Sequence, residues 1–173
     1  KLLSEGVDVC LQIQSPRSVP GIMDRLSKYR SIKINSSIDY SRLPEVYSKA
    51  DILVIANDFS RDGINFLRFS MPTKAPEYMI SGTPILVYAS SETAVYKLFN
   101  NNMCGHCVTR QNPDELANAI RMLLQDLDYR QKLSRNAVAH AIENYDSEKV
   151  RLRFQLLLKE VAGKGLTLLS TQI

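Results

Sequence analysis

The chain has 173 residues, enough for one domain with a full apolar core and too few for two ordinary ones. Apolar residues make up 45% and charged residues 23%, a globular balance that excludes a disordered or fibrous protein. The net charge of +4 includes no run of five or six basic residues, which excludes nucleic acid as an expected partner and leaves small anions compatible.

No Met opens the chain and no signal-peptide pattern follows Lys1, so the sequence reads as a piece of a longer protein. The longest apolar runs, such as Ile52-Leu53-Val54-Ile55-Ala56, fall far below the roughly 18 residues of a membrane span. Three cysteines, an odd number, suggest no disulfide framework, and a reducing cytoplasm is the expectation.

Residues 2–5 read as a helix end, and residues 7–13 alternate apolar and polar in part, as a strand does. A turn follows at Ser15-Pro16. Helical spacing returns at Ile22, Met23, Leu26 and Tyr29, and residues 32–35 form a second short strand. Ser41 is a good N-cap for a helix with Leu43, Val46 and Tyr47 on one face. The run at 51–56 is almost wholly apolar between polar flanks, the look of a strand buried on both faces in a helix-covered parallel sheet.

Residues 57–70 show no period and contain Asp62-Gly63, so they predict a long loop of a kind uncommon unless functional. A helix over 73–81, stopped by Gly82, leads through Pro84 into a strand at 85–88. Residues 91–99 are helical and 107–109 a short strand. Asn112 then caps a helix with Pro113 at its first position and Asp114 and Glu115 in its first turn.

Two more helices, at 129–142 and 147–161, precede a polar tail. The last carries Val150, Phe154, Leu157 and Val161 in one stripe, among Lys149, Arg151, Arg153 and Lys159. Packing on the rest of the protein is the expected role of that stripe, and a membrane surface the sharper alternative.

Strands alternating with helices describe one α/β domain over residues 1–173: a Rossmann-like doubly wound parallel sheet with helices on both faces and extra C-terminal helices. Such sheets bind ligands at the carboxyl ends of their strands. The loop opening at Asn57 and the helix start near Thr73 sit where that rule puts a site.

The most informative stretch is 70–84. Its front half, through Ser70 and Pro72, feeds a helix N-terminus at Thr73, where free N–H groups and the helix dipole favour a phosphate. Lys74 adds a full positive charge there. Pro76 in the first turn sacrifices no helical hydrogen bond, and Glu77 is able to accept two hydroxyl hydrogen bonds, as an acidic residue does for a ribose. Each also has a plainer reading, Thr73 as a simple cap and Lys74 and Glu77 as solvated charges.

Pro72-Thr73-Lys74-x-x-Glu77-Tyr78-Met79-x-x-Gly82-x-Pro84, followed by an apolar strand, resembles the donor-site signature of the glycosyltransferase group 1 family. Tyr47-Ser48-Lys49-Ala50-Asp51-Ile52-Leu53-Val54 and Asn112-Pro113-Asp114-Glu115-Leu116-Ala117-x-Ala119-Ile120 are similar to further stretches of that family, and the likeness runs from about Ile34 to Phe154.

The resemblance implies a retaining enzyme of two Rossmann-like domains, the GT-B fold, of which this chain is the donor half. The opening strand and helix of that half, with a basic pair, and the N-terminal acceptor domain would lie upstream. Glu77 would hold the ribose of a nucleotide sugar, with Thr73 and Lys74 at its diphosphate. The sugar would be a substrate, with no metal or cofactor, and the acceptor a glycan or a lipid-linked molecule, as in bacterial polysaccharide biosynthesis at the inner face of the membrane. One departure concerns the donor sugar: the family's usual earlier glutamate falls at Phe69.

Two readings from other classes stay beside this one: a non-catalytic nucleotide-binding module, and a thiol oxidoreductase built on Cys104-Gly105-His106-Cys107. The second needs a helix beginning at Cys104, yet the tetrad leads into Val108-Thr109 and a new helix at Asn112. The plainer reading makes Gly105 a turn and Cys107 a small buried residue. Zinc at Cys104, His106 and Cys107 would need a fourth ligand, and Cys10 and His140 are distant in sequence.

Overall fold

The computed structural model describes residues 1–15 and 21–170, with side chains through residue 162. Pro16 of the expected turn at Ser15-Pro16 lies outside the described residues. A 3-10 turn at Leu3–Glu5 leads to strand β1 (Leu11–Gln14), helix α1 (Ile22–Leu26) and strand β2 (Ile32–Asn35). A second 3-10 turn (Tyr40–Arg42) runs into α2 (Leu43–Ser48), then β3 (Leu53–Ala56), α3 (Arg61–Leu67), α4 (Lys74–Ile80) and β4 (Ile85–Tyr88). The rest is α5 (Ala94–Asn101), β5 (His106–Val108), α6 (Pro113–Gln125), α7 (Leu127–Asn144) and α8 (Ser147–Ser170).

All strand pairs are parallel, as the alternation predicts, but they form two sheets. One pairs β1 with β2, and the other is ordered β3-β4-β5. Helices cover both faces of the second sheet. On one face Leu53, Ile55, Ile85 and Val87 pack with Met79 of α4, Phe99 of α5 and Ala137 and Ala141 of α7. On the other, Leu86 and Val108 pack with Ala119 and Leu123 of α6 and Leu133 of α7.

The strand expected to be buried on both faces is not. Leu53 and Ile55 of β3 are buried, whereas Val54 is 39% exposed. Val54 pairs with Leu86 and so shares the α6 face, and α6 lies over β4 and β5 rather than over β3. Helix α2 also begins differently. Asp39, not Ser41, caps the preceding turn by accepting the Ser41 N–H at 2.9 Å.

Asn112 caps α6 as expected, its side chain accepting from the Asp114 and Glu115 N–H groups with Pro113 in the first turn. Lys1 and Glu5 pair with Asp114 and Arg121, which ties the start of the chain to α6. Helix α8 continues to Ser170 through the expected polar tail. Its stripe does not pack on the domain: Val150, Phe154, Leu157 and Val161 are all exposed. No helix among the described residues is long and apolar enough to cross a membrane.

Candidate functional site

Helix α4 stops at Gly82 (φ +74°), and residues 82–84 lead into the amino end of β4. Its first turn therefore points towards the carboxyl ends of the strands, where the sequence places a site. Fully buried Ala75 and Met79 anchor the helix to the sheet. Their spacing of four leaves Thr73 and Lys74 exposed and Glu77 half-buried on other faces of the same turns. Pro72 accepts the Ala75 N–H at 3.0 Å. Thr73 makes no side-chain capping bond, contrary to the plainer reading of it as a simple cap, and Pro76 falls at the third helical position.

Glu77 is not simply a solvated charge. Its Oε2 accepts a hydrogen bond from the Tyr47 hydroxyl at 3.1 Å. Tyr47 is 9% exposed, and its ring meets that of Tyr78 edge-on at 4.9 Å. Burial, then the Glu77 carboxylate, push the Tyr47 hydroxyl well above the ordinary phenol value, so it remains a donor throughout the usual pH range. Burial likewise raises Tyr78. Lys74 makes no ion pair with Glu77 among the described residues.

Asn57 follows β3 and donates its N–H to Tyr88 O of β4 at 2.9 Å, which places it at the carboxyl edge of the sheet. Its Nδ2 is buried without a hydrogen-bond partner. The segment that follows corrects the expectation of a long loop, because residues 61–67 form α3. Ser60 caps that helix by accepting the Gly63 N–H at 3.1 Å, and Asp58 accepts from the Ser60 N–H and hydroxyl at 2.8 and 2.5 Å. Gly63 is set by close approach rather than by a turn: a Cβ there would run into the Asp58 side chain.

Ser70 is half-buried just before α4, while Phe69, at the usual glutamate position, is 88% exposed. Arg68 bonds Glu92 at 2.5 Å, joining the segment after β3 to the one after β4. The structure thus brings Glu77 to Tyr47 and sets Asn57 and the start of α4 towards one edge of the sheet. Sequence reasoning did not anticipate the Tyr47–Glu77 bond or the Arg68–Glu92 pair. A phenol among apolar residues on the α2 face was the available signal.

The thiol reading fails on geometry. Cys104 follows the end of α5 and begins no helix, and Cys107 lies in β5. Burial raises both thiols, that of Cys107 to about 12, whereas a reactive cysteine needs a lowered value. Gly105 again answers a close approach, since a Cβ would lie 2.9 Å from Ile85 O. His106 Nδ1 is 3.0 Å from the Tyr129 hydroxyl, and His140 neighbours Asn144. Among the described residues no three His, Cys, Asp or Glu side chains converge as a metal site.

The sequence model of the family described as "Glycosyl transferases group 1" matches residues 25–140, more than half of the chain. An uncharacterized glycosyltransferase of Methanocaldococcus jannaschii is 28% identical over 108 residues, 62% of this chain and 25% of its own length. Sucrose-phosphate synthase from Thermosynechococcus elongatus superposes with a TM-score of 0.66 at 21% identity, over 89% of this chain and 39% of that one. Anabaena HepE in complex with UDP-glucose superposes with a TM-score of 0.62 at 17% identity, over 80% of this chain and 35% of that one. The chain therefore spans between a quarter and two fifths of the length of these relatives.

Proposed function

This chain belongs to the glycosyl transferases group 1 family, and from that premise we propose that it is the donor-binding domain, over residues 1–173, of a retaining transferase that uses a nucleotide-diphosphate sugar. Glu77 takes the two ribose hydroxyls, Thr73 and Lys74 lie at the diphosphate, and Pro72, Ser70 and Asn57 line the approach at the carboxyl edge of the sheet. The observation that carries this reading is the fixed Glu77 carboxylate, one turn inside a helix whose exposed first residue is Lys74. The Anabaena relative, solved with UDP-glucose, supports the substrate class.

The acceptor domain, and the strand and helix that open this half, belong in this proposal to the same protein upstream of Lys1. The 173-residue chain alone then binds donor without transferring sugar. Transfer itself would rest on positioning and on stabilising the departing nucleotide diphosphate, with no metal or cofactor. A glycan or lipid-linked acceptor at the cytoplasmic face of a bacterial membrane suits the bare basic and apolar surface of α8, and that helix packs on the acceptor domain or lies at the membrane surface. Phe69, where the family resemblance puts a glutamate, bears on the donor sugar by offering it no carboxylate.

Calorimetric titration with UDP, GDP, ADP and their sugars tests the reading. Saturable binding by one base series, weakened at least about tenfold by Glu77→Ala and unchanged by EDTA, is expected. No saturable binding by any nucleotide at millimolar concentration would overturn it.

A further inference from the structure

Glu77 has three rotatable side-chain bonds, and fixing such a chain when a ligand arrives costs affinity. In this chain the carboxylate is already held by a hydrogen bond from a residue 30 positions earlier, and the restraint reaches back to the amino end of β4. Thr83, 6% exposed just before β4, donates its hydroxyl to the Tyr47 carbonyl at 2.8 Å. The Tyr47 ring is closed in against Tyr78, the neighbour of Glu77 on α4. With its carbonyl held by Thr83 and its ring against Tyr78, the phenol sets its hydroxyl on Glu77 Oε2.

We propose that Tyr47 is a positioning residue for ribose recognition, holding the Glu77 carboxylate in the orientation that accepts a vicinal diol. The proposal rests on the reading of Glu77 as the ribose acceptor. An ionised carboxylate offers about four acceptor positions on its two oxygens. Tyr47 occupies one of them on Oε2, which leaves Oε1 open and one position on Oε2. That remainder suits two adjacent hydroxyls approaching together, so the arrangement favours ribonucleotides over ligands that lack the 2′ and 3′ hydroxyls. Tyr47 itself touches no ligand in this scheme. Its effect passes entirely through Glu77.

The test compares the 173-residue chain with its Tyr47→Phe, Glu77→Ala and doubly substituted forms. Each is titrated with the best-binding nucleoside diphosphate and with its 2′,3′-dideoxy counterpart. Tyr47→Phe is expected to weaken the ribonucleotide roughly tenfold, to leave the dideoxy ligand within twofold, and to add nothing once Glu77 is alanine. Because the ratio of the two ligands is read within one protein, a lower melting temperature of the variant does not obscure it.

Equal weakening of both ligands, or a further loss in the Glu77→Ala background, would overturn the proposal and make Tyr47 a packing residue. If Glu77→Ala weakens the ribonucleotide and Tyr47→Phe does not, the proposal fails while the donor-site reading stands. If the protein binds nucleotide and Glu77→Ala changes nothing, the donor-site reading fails and takes the proposal with it.

Discussion

Residues 1–46 and residues 47–141 are built from the same alternation of strand and helix, yet they differ in what the alternation encloses. Among the described residues none before Tyr47 is buried, whereas the later stretch holds Met79, Ile85, Val87, Val95, Phe99 and Leu123 at 0% exposure. The β1–β2 pair has regular parallel register without a core of its own. Regular backbone pairing and apolar burial are thus separable here, and a two-stranded parallel sheet draws little stability from pairing alone.

The contrast is open to direct attack, most strongly through the core. Phe99→Ala should cost about 3–5 kcal/mol in chemical denaturation, while Leu11→Ala, at a site 46% exposed, should cost under about 1 kcal/mol. Similar losses at the two sites would erase the distinction. Gly105→Ala comes next, at about 1–3 kcal/mol, because the added methyl meets Ile85 O and Phe99 at 2.9 Å. A melt unchanged by this substitution would mean that β5 can shift away from β4.

Capping offers a smaller comparison between the halves. Asn112→Ala should lower stability by about 1 kcal/mol, since its side chain serves two N–H groups at the start of α6. The same change at Asp39, whose side chain serves Ser41 on an exposed 3-10 turn, should be barely measurable. A larger loss at Asp39 would show that the first half carries more of the cooperative fold than its burial implies.

The last effect is absent at neutral pH and develops only in alkali. Folding holds the Cys107 thiol at about 12 against an ordinary value of 9.0, because burial disfavours the thiolate. The unfolded chain therefore releases this proton first as pH rises. Stability from this group is complete below about 9 and declines towards 12. Cys107→Ser should flatten that part of the stability profile. In native protein near pH 8, alkylation should reach exposed Cys10 and spare Cys104 and Cys107 until unfolding.

What the sequence revealed follows the same division. Residues 32–35 and 85–88 are strands in the structure over the expected bounds, and the cap at Asn112 is where the pattern puts it, because these signals are local. Helix α3 was illegible for a local reason: Asp62-Gly63 carries turn chemistry, and the need for that glycine comes from Asp58, five residues earlier and folded back against it. Val54 and the α8 stripe read as buried because composition records what a face could bury, while cover depends on a neighbour's position. Within the candidate site, motif order singled out Glu77 and Lys74. It did not single out the Tyr47 hydroxyl that bonds Glu77, since no spacing rule links the face of one helix to a carboxylate 30 residues later.

The contacts of Lys1 with Asp114 and of Glu5 with Arg121 join the two unlike halves. Asp114 and Arg121 stand seven residues apart on α6, two turns and about 10 Å along one face. They carry opposite signs, met in matching order by Lys1 and Glu5. Each pair lies at the surface, with Arg121 partly covered, and alone contributes about 1 kcal/mol or less. Together they act as a polarised key, because reversing the opening turn along α6 would set like charges against each other. The contact of the opening turn with α6 therefore answers to ionic strength: in 1 M salt, where screening acts within about 3 Å, that turn should loosen from α6, while Leu43, packed against the core of the second half, stays in place.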